Sequence, residues 1–278
     1  MQSSKNTEKK ILVLGGTGKT GSRVADRLSK LGYPVSIGSR TADIPFDWDD
    51  ISTWKPALQN IRSVYITFQP DLAVPNAPGC IASFSRMAAE NGIEKLVLLS
   101  GRGEEEARHC EQIVINSGIA WTIVRASWFF QNFSESYFLT DVLSGQVTLP
   151  VGDIPEPFID ADDIADVAVA ALTQDGHSGE IYEITGPHLL TFKEVIQEIA
   201  TAAGKNIVYK QVSAEEYTAL LVSGQVPQEY IALLSYLFTE VMDGRNSYIV
   251  NDVERALGRK ATDFSSYTRK TAASGIWN

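Results

Sequence analysis

Basic charge is in short supply in this chain. Its 278 residues carry 24 Lys and Arg against 34 Asp and Glu, a formal net charge of −10. That balance argues against nucleic acid as a direct partner, because binding phosphate needs a basic face. Cysteine is scarcer still, with Cys80 and Cys110 alone. Two cysteines make neither a disulfide scaffold nor a metal cluster, and they are expected to be reduced, inert cytoplasmic thiols. The three histidines, His109, His177 and His188, show no metal-ligand spacing, so no metal is expected. No apolar run approaches membrane-spanning length, so no membrane partner is expected. The N-terminal MQSSKNTEKK is polar and lacks the apolar middle of a secretory signal. Residues 1–9 read as a frayed tail, and the protein as cytoplasmic. Neither internal repeats nor low-complexity segments occur.

Apolar residues, by contrast, are plentiful. At 44% hydrophobic residues the chain can build a full core. Short apolar runs alternate with helical patterns through the first half. ILVLG (11–15), PVSIGSR ending near Arg40, SVYITF (63–68), KLVLLS and AWTIVRAS read as strands. Lys19–Leu31, Gly79–Asn91 and Glu104–Asn116 read as helices, the last two closed near glycine. Continuous apolar strands separated by helices predict an α/β fold, a Rossmann-type doubly wound parallel sheet. Past residue 127 the pattern loosens. A helix over FIDADDIADVAVAAL, a strand EIYEITG, a helix from Thr191 to Gly204 and a short strand NIVYKQVS remain legible. The expected organisation is a dinucleotide-binding core over 10–150, then late Rossmann elements mixed with a small α+β substrate lobe over 151–278. The state expected is monomer or homodimer.

The first strand runs into Gly15-Gly16-Thr17-Gly18-Lys19-Thr20-Gly21, which opens the first helix. Gly15 allows a tight turn, Gly18 lets backbone approach a pyrophosphate, and Gly21 lets helix and strand pack closely. The helix N-terminus adds its N–H groups and positive dipole end. Strand before and helix after is the context this motif requires. It is not a Walker loop, since Lys19-Thr20 fall inside the glycine pattern. The second strand ends in Ser39-Arg40, where a site for NAD would carry an acid. A guanidinium suits a 2′-phosphate, so NADP(H) is expected. Asp47 and Trp48 are expected near the adenine, although Trp48 would serve equally as core. Phe68 and Ser100, at the ends of the third and fourth strands, complete the expected cofactor site.

Reactive side chains in an open α/β sheet belong beyond the carboxyl ends of its strands. After KLVLLS comes GRGEEEARHCEQ, with three carboxylates, a His and a Cys. Many reductases on this fold use a Tyr hydroxyl as proton donor, with a Lys four residues later. No Tyr in this chain has a Lys at that spacing. An electron-poor acceptor such as an iminium or quinone methide needs mainly a positioned hydride, which a nicotinamide carries. Glu104, Glu105 and Glu106 favour either a cationic substrate or, more simply, the dipole of the helix they begin. His109 and Glu111 are the candidate catalytic residues, for polar contacts to substrate or nicotinamide. Arg102 is a candidate substrate contact.

GGTGKTGSRVADRL, VYITFQP, KLVLLS, SGIAWTIVRASWFFQNF and FIDADDIADVAVAAL together resemble the NmrA-like group of atypical short-chain dehydrogenases, over roughly residues 10–200. GGTGKT, Phe46–Trp54 and TIVRASWFFQNF are most similar to the festuclavine synthase and agroclavine dehydrogenase enzymes of ergot alkaloid pathways. Bacterial quinone and triphenylmethane reductases are more distant relatives. The resemblance implies an NADPH-dependent reductase. In the ergot enzymes the electrophile is an iminium ion, and members of the group also lack the Tyr/Lys pair. Aligned through SGIAWTIVR, those two positions fall at Gly103 and Ala107, and Glu111 matches an acid often found four residues later. The segment from Ser127 to Phe133 lies at the family's cofactor cleft, which implies Trp128, Phe129 and Asn132 as substrate-binding wall residues. The substrate expected is a small cationic or aromatic molecule. The alternative is a non-catalytic NADP(H)-binding redox sensor, which some NmrA-like proteins are.

Overall fold

Leu12, Val13 and Leu14 have no exposed surface, as a strand covered on both faces requires. In the computed structural model, which describes residues 9–278, they belong to strand β1, Lys10–Leu14. The expected tail lies outside the described residues except for Lys9. Helix α1 (Lys19–Lys30) buries Val24, Ala25 and Leu28 at helical spacing and leads to β2 (Val35–Gly38). A short α2 (Trp54–Ala57) precedes β3 (Ile61–Ile66); α3 (Ala77–Glu90) precedes β4 (Lys95–Gly101); α4 (Glu105–Ile115) precedes β5 (Ala120–Ala126). Then come α5 (Tyr137–Ser144), β6 (Gln146–Leu149), α6 (Ala161–Thr173) and β7 (Glu180–Ile184). The chain continues through α7 (Phe192–Ala203), β8 (Val208–Gln211), α8 (Ala214–Ser223), α9 (Gln228–Tyr236), α10 (Asp252–Leu257) and α11 (Phe264–Ala273).

Six strands form one sheet in the order β2-β1-β3-β4-β5-β7. Ile11 registers with Val35 on one side and Ser63 on the other, and Val64 with Leu96, all parallel. The expected α/β sheet is therefore present. Strand β2 stops at Gly38, short of Arg40, because the Ser39 carbonyl turns inward to accept from Phe46 N at 3.0 Å. A strand absent from the sequence reading, β6, pairs in parallel with β8 as a separate two-stranded sheet. Helix α7 starts and stops where expected: Thr191 and Glu194 close a capping box, and Gly204 ends the helix at φ +64°.

The chain divides into two compact units. The first comprises Met1–Ser100, Glu105–Val124 and Ile164–Tyr182; the second Gly101–Glu104, Arg125–Asp163 and Glu183–Asn278. The first has a core of Leu12, Leu14, Val64, Ile66, Phe84, Leu96 and Leu98, among others. The second has an aromatic core that includes Phe130, Phe133, Phe158, Phe192 and Trp277. Residues 125–150 thus go with the second unit, not with the core expected over 10–150. Trp128, Phe130 and Phe133 of SWFFQNF, together with Phe138, find their packing partners there.

Candidate functional site

In the first unit, the turn after β1 is built so that glycine alone fits at two places. Gly15 takes φ +62°, and a Cβ on it would stand 2.2 Å from Thr67 Oγ1. Thr67 donates to the Leu14 carbonyl at 3.0 Å, which holds that side chain in place. A Cβ on Gly21 would stand 2.2 Å from the Gly15 carbonyl oxygen, so α1 packs directly on the turn. Gly15 N donates to the Gly38 carbonyl, and Gly18 N to the Gly15 carbonyl, both at 2.8 Å. Gly18 is the N-cap of α1 and supplies no capping side chain, and the first turn holds no acid. Thr17 and Gly18 are exposed, Lys19 is half-buried and Thr20 buried. Uncapped N–H groups at a helix start with exposed backbone fit an anionic phosphate group.

Arg40 lies exposed just past β2, and among the described residues it makes no hydrogen bond or ion pair. Ser39 is half-buried, its hydroxyl 3.5 Å from that of Thr41. The backbone of Asp47 is fixed by Thr53 and Trp54: its N–H donates to Thr53 Oγ1 at 3.0 Å, and its carbonyl accepts from Trp54 Nε1 at 2.7 Å. Trp48 packs with Phe46, Trp54, Phe68 and Phe84, at 4.8–5.6 Å between ring centroids. Its Nε1 donates to the Thr67 carbonyl at 3.0 Å. Trp48 is therefore at least half a core residue, and Phe68 is buried beside it. The first unit brings the glycine turn, Thr67 and the Trp48–Phe68 pair together through these hydrogen bonds.

Ser100 and Glu111 meet. The Ser100 hydroxyl donates to Glu111 Oε1 at 2.6 Å, with both side chains buried. His109 is exposed on α4. Glu105 and Glu106 occupy the first turn of α4, where they favour the helix dipole. Burial pushes the Cys110 thiol up to about 12, helped by the charges of Glu106 and Glu111, and this keeps it unreactive near neutral pH.

In the second unit, Arg102 is buried, with 1% of its side chain exposed. Its Nη1 donates to Ser127 Oγ at 3.0 Å and to the Asn246 carbonyl at 3.2 Å; Nη2 donates to the Tyr248 carbonyl at 3.4 Å. The Tyr248 ring covers the guanidinium at 4.4 Å. Glu183 Oε1 lies 3.7 Å from Nε. Arg102, expected as a substrate contact, is in this arrangement the anchor of a buried polar cluster. Gly103, the position aligned with the family Tyr, takes φ +79°, and a Cβ there would meet Asn246 Nδ2 at 2.5 Å. Ala107, the aligned Lys position, is buried. A side chain at position 103 would have to displace Asn246.

Sequence reasoning missed Glu156. It is 1% exposed, and neither carboxyl oxygen has a hydrogen-bond partner among the described residues. Burial raises its pKa from 4.5 to about 7, against the pull of Arg102. The one available signal was an acid held between Pro155 and Pro157 in an otherwise apolar run.

Trp128 is half-buried, stacked on Phe238 at 5.1 Å and 25° and edge-on to Phe192 at 5.6 Å. Phe238 sits in a π-turn, Leu237–Val241, a rare geometry that often marks functional sites. Phe129 bridges Ile159 through its backbone, and Asn132 N donates to the Phe129 carbonyl at 3.1 Å. Their neighbour Gln131 is buried and bonds Asp160 Oδ1 at 2.7 Å and Ala161 N at 2.8 Å. The aromatic motif is thereby tied to the start of α6. Among the described residues no three His, Cys, Asp or Glu gather as metal ligands, and no helix is long and apolar enough to cross a membrane.

A model of the NmrA-like family matches residues 84–271. The chain is 31% identical over 277 residues to the uncharacterized oxidoreductase YesF of Bacillus subtilis, covering 95% of each chain. It is 31% identical over 281 residues to festuclavine synthase I of Penicillium roqueforti, covering 92% of this chain and 96% of that one. Among solved structures, the NADPH-dependent quinone oxidoreductase QOR2 of Escherichia coli, complexed with NADPH, superposes with a TM-score of 0.79 at 19% identity. It covers 96% of this chain and all of the other.

Proposed function

Because the chain belongs to the NmrA-like family, we propose that it is an NADPH-dependent reductase whose acceptor is an electron-poor C=N or C=C bond of iminium or quinone type. The glycine turn carries the reading. Gly15 and Gly21 tolerate no Cβ, and the N–H groups that start α1 have no capping side chain, as a bound pyrophosphate requires. Exposed Arg40 supplies the fork of donors for a 2′-phosphate, so NADPH is the preferred form. When bound, the nicotinamide supplies the hydride. The chain's own residues bind and orient. Ser100, its proton committed to Glu111, is left to accept a hydrogen bond, not to give one. Trp128, backed by Phe238, offers an aromatic wall suited to a flat or cationic molecule. The places aligned with the Tyr/Lys pair hold Gly103 and Ala107, which favours an acceptor that is already electrophilic.

The test mixes protein and NADPH with a cyclic iminium, a quinone and a simple ketone, and follows loss of the reduced-nicotinamide absorbance. Oxidation with the iminium or quinone but not the ketone is expected. Equal turnover of the ketone would overturn the acceptor class. Tight NADPH binding without oxidation by any of the three would return the chain to the sensor reading. Arg40→Ala should weaken NADPH far more than NADH, and equal loss would sink the 2′-phosphate assignment.

A further inference from the structure

Glu156 is a buried acid that the reductase reading does not use. Its backbone is locked to Leu190 by two hydrogen bonds of 2.9 Å, so the side chain has little freedom to find water. A carboxylate buried without donors is costly, whereas a neutral carboxyl costs far less. The segment Asp243–Val250 forms a strap tied to the same place. Ser247 Oγ donates to the Pro155 carbonyl at 2.6 Å, on the peptide bond that enters Glu156. Asn246 Nδ2 donates to the Arg102 carbonyl at 3.2 Å, while Arg102 reaches back to the carbonyls of Asn246 and Tyr248. Val250 N donates to Thr185 Oγ1 at 3.1 Å.

We propose that neutral Glu156 keeps the strap Asp243–Val250 closed over the Gly101–Glu104 turn, and that loss of its proton opens the strap. An ionised Glu156 needs water or the Arg102 guanidinium. Water enters when Ser247 lets go of Pro155; Arg102 turns to Glu156 by leaving the carbonyls of Asn246 and Tyr248. Both routes loosen the same segment. The elevated pKa of Glu156 agrees with this but follows from the same geometry.

The charged neighbours are few. Arg102, on the turn after β4, acts directly on Glu156. On the same turn, Glu104 folds back against Gly101. Around Arg102 stand Glu183 of β7 and, 3.4 Å from that carboxylate, Arg125 of β5. The strap brings Tyr248, whose hydroxyl donates to Glu183 at 3.1 Å, and Arg245, paired with Asp243 at 2.7 Å. The Leu190 segment brings His188, engaged by Asp263 at 2.9 Å. The strap follows directly on the π-turn that carries Phe238, so its opening also loosens the backing of Trp128. That last consequence alone rests on the reductase reading.

The test is amide hydrogen exchange at Asn246–Val250 in the protein without cofactor or acceptor, from about pH 5 to about pH 8.5, corrected for the intrinsic base catalysis of exchange. Proton linkage makes the strap's opening constant rise by up to about tenfold per pH unit between about 5 and about 7, then level off. Glu156→Gln and Glu156→Met, both neutral, should abolish the rise. A wild-type profile flat after correction overturns the proposal, and so does the same rise in either variant. The wild-type profile decides alone if neither variant folds. No NADPH is consumed in this experiment, so its failure leaves the reductase reading standing, and failure of the oxidation assay leaves the strap proposal standing.

Discussion

The hydroxyl of Ser100 donates to the carboxylate of Glu111 across 2.6 Å, and water reaches neither side chain to any extent. The pair joins the end of β4 to the middle of α4. A buried hydrogen bond to a charged acceptor is worth about 1.5–3 kcal/mol. A double-mutant cycle of Ser100→Ala and Glu111→Gln, read by urea unfolding, should therefore give a coupling of roughly 1–3 kcal/mol. Additive losses would mean that the contact holds little. Glu111→Gln should also leave NADPH binding largely intact, because Glu111 acts through Ser100.

Gly21 touches the Gly15 carbonyl so closely that any side chain must displace backbone. Gly21→Ala should cost about 1–3 kcal/mol by overpacking and weaken NADPH binding in the same protein. Gly79, in α3, faces open space at an ordinary backbone angle. Gly79→Ala should instead stabilise by roughly 0.5–1 kcal/mol through helix propensity. Thermal melts of the two variants should shift in opposite directions, and a shared direction would refute the packing account.

Gln131 is held by Asp160 and by the first N–H of α6. Burial raises the Asp160 pKa, with Gln131 and Asp162 N opposing it. Gln131→Leu leaves the Ala161 N–H buried and unsatisfied, while Asp160 Oδ1 keeps its bond from Asp162 N, so a loss of roughly 1–3 kcal/mol is expected for the one orphaned group. Equilibrium unfolding checks this, and a change below about 0.5 kcal/mol would place it among ordinary surface substitutions.

Glu156 makes stability depend on pH with a definite sign. The unfolded carboxyl ionises near 4.5 and the folded one near 7, so the folded chain holds more protons in between. Its contribution is full below about 4.5 and is lost as the pH rises through 7. The shift corresponds to roughly 3 kcal/mol at most. Compared with Glu156→Gln, the wild type should lose about 2–3 kcal/mol of relative stability between pH 5 and pH 8. A difference between the two proteins that stays constant over that range would contradict the neutral, buried state of Glu156.

The sheet was legible because its signals are local. The apolar run Ile11–Leu14, the glycine spacing of 15, 18 and 21, and the Thr191–Glu194 cap each act within a few residues. The residues expected to hold the cofactor were read from equally local signals, a glycine turn and a strand end. Strand β6 was hidden because four residues with one parallel partner carry too short an alternation to stand out. Trp48 was ambiguous from sequence, and only its four aromatic neighbours show how much of it is core.

By itself, then, the order of residues determined the α/β class, the glycine turn, the place of Arg40 just past the second strand and the lack of any Tyr with a Lys four residues later, since each is a matter of spacing along the chain. Tertiary structure decided the rest. It made Arg102 a buried anchor, set Glu111 against Ser100, and closed Gly103 to any side chain by means of Asn246. It also left Glu156 without a hydrogen-bond partner among the described residues. Burial and hydrogen-bond satisfaction are properties of what surrounds a group, and residues 102, 156 and 246 come together only when the chain has folded.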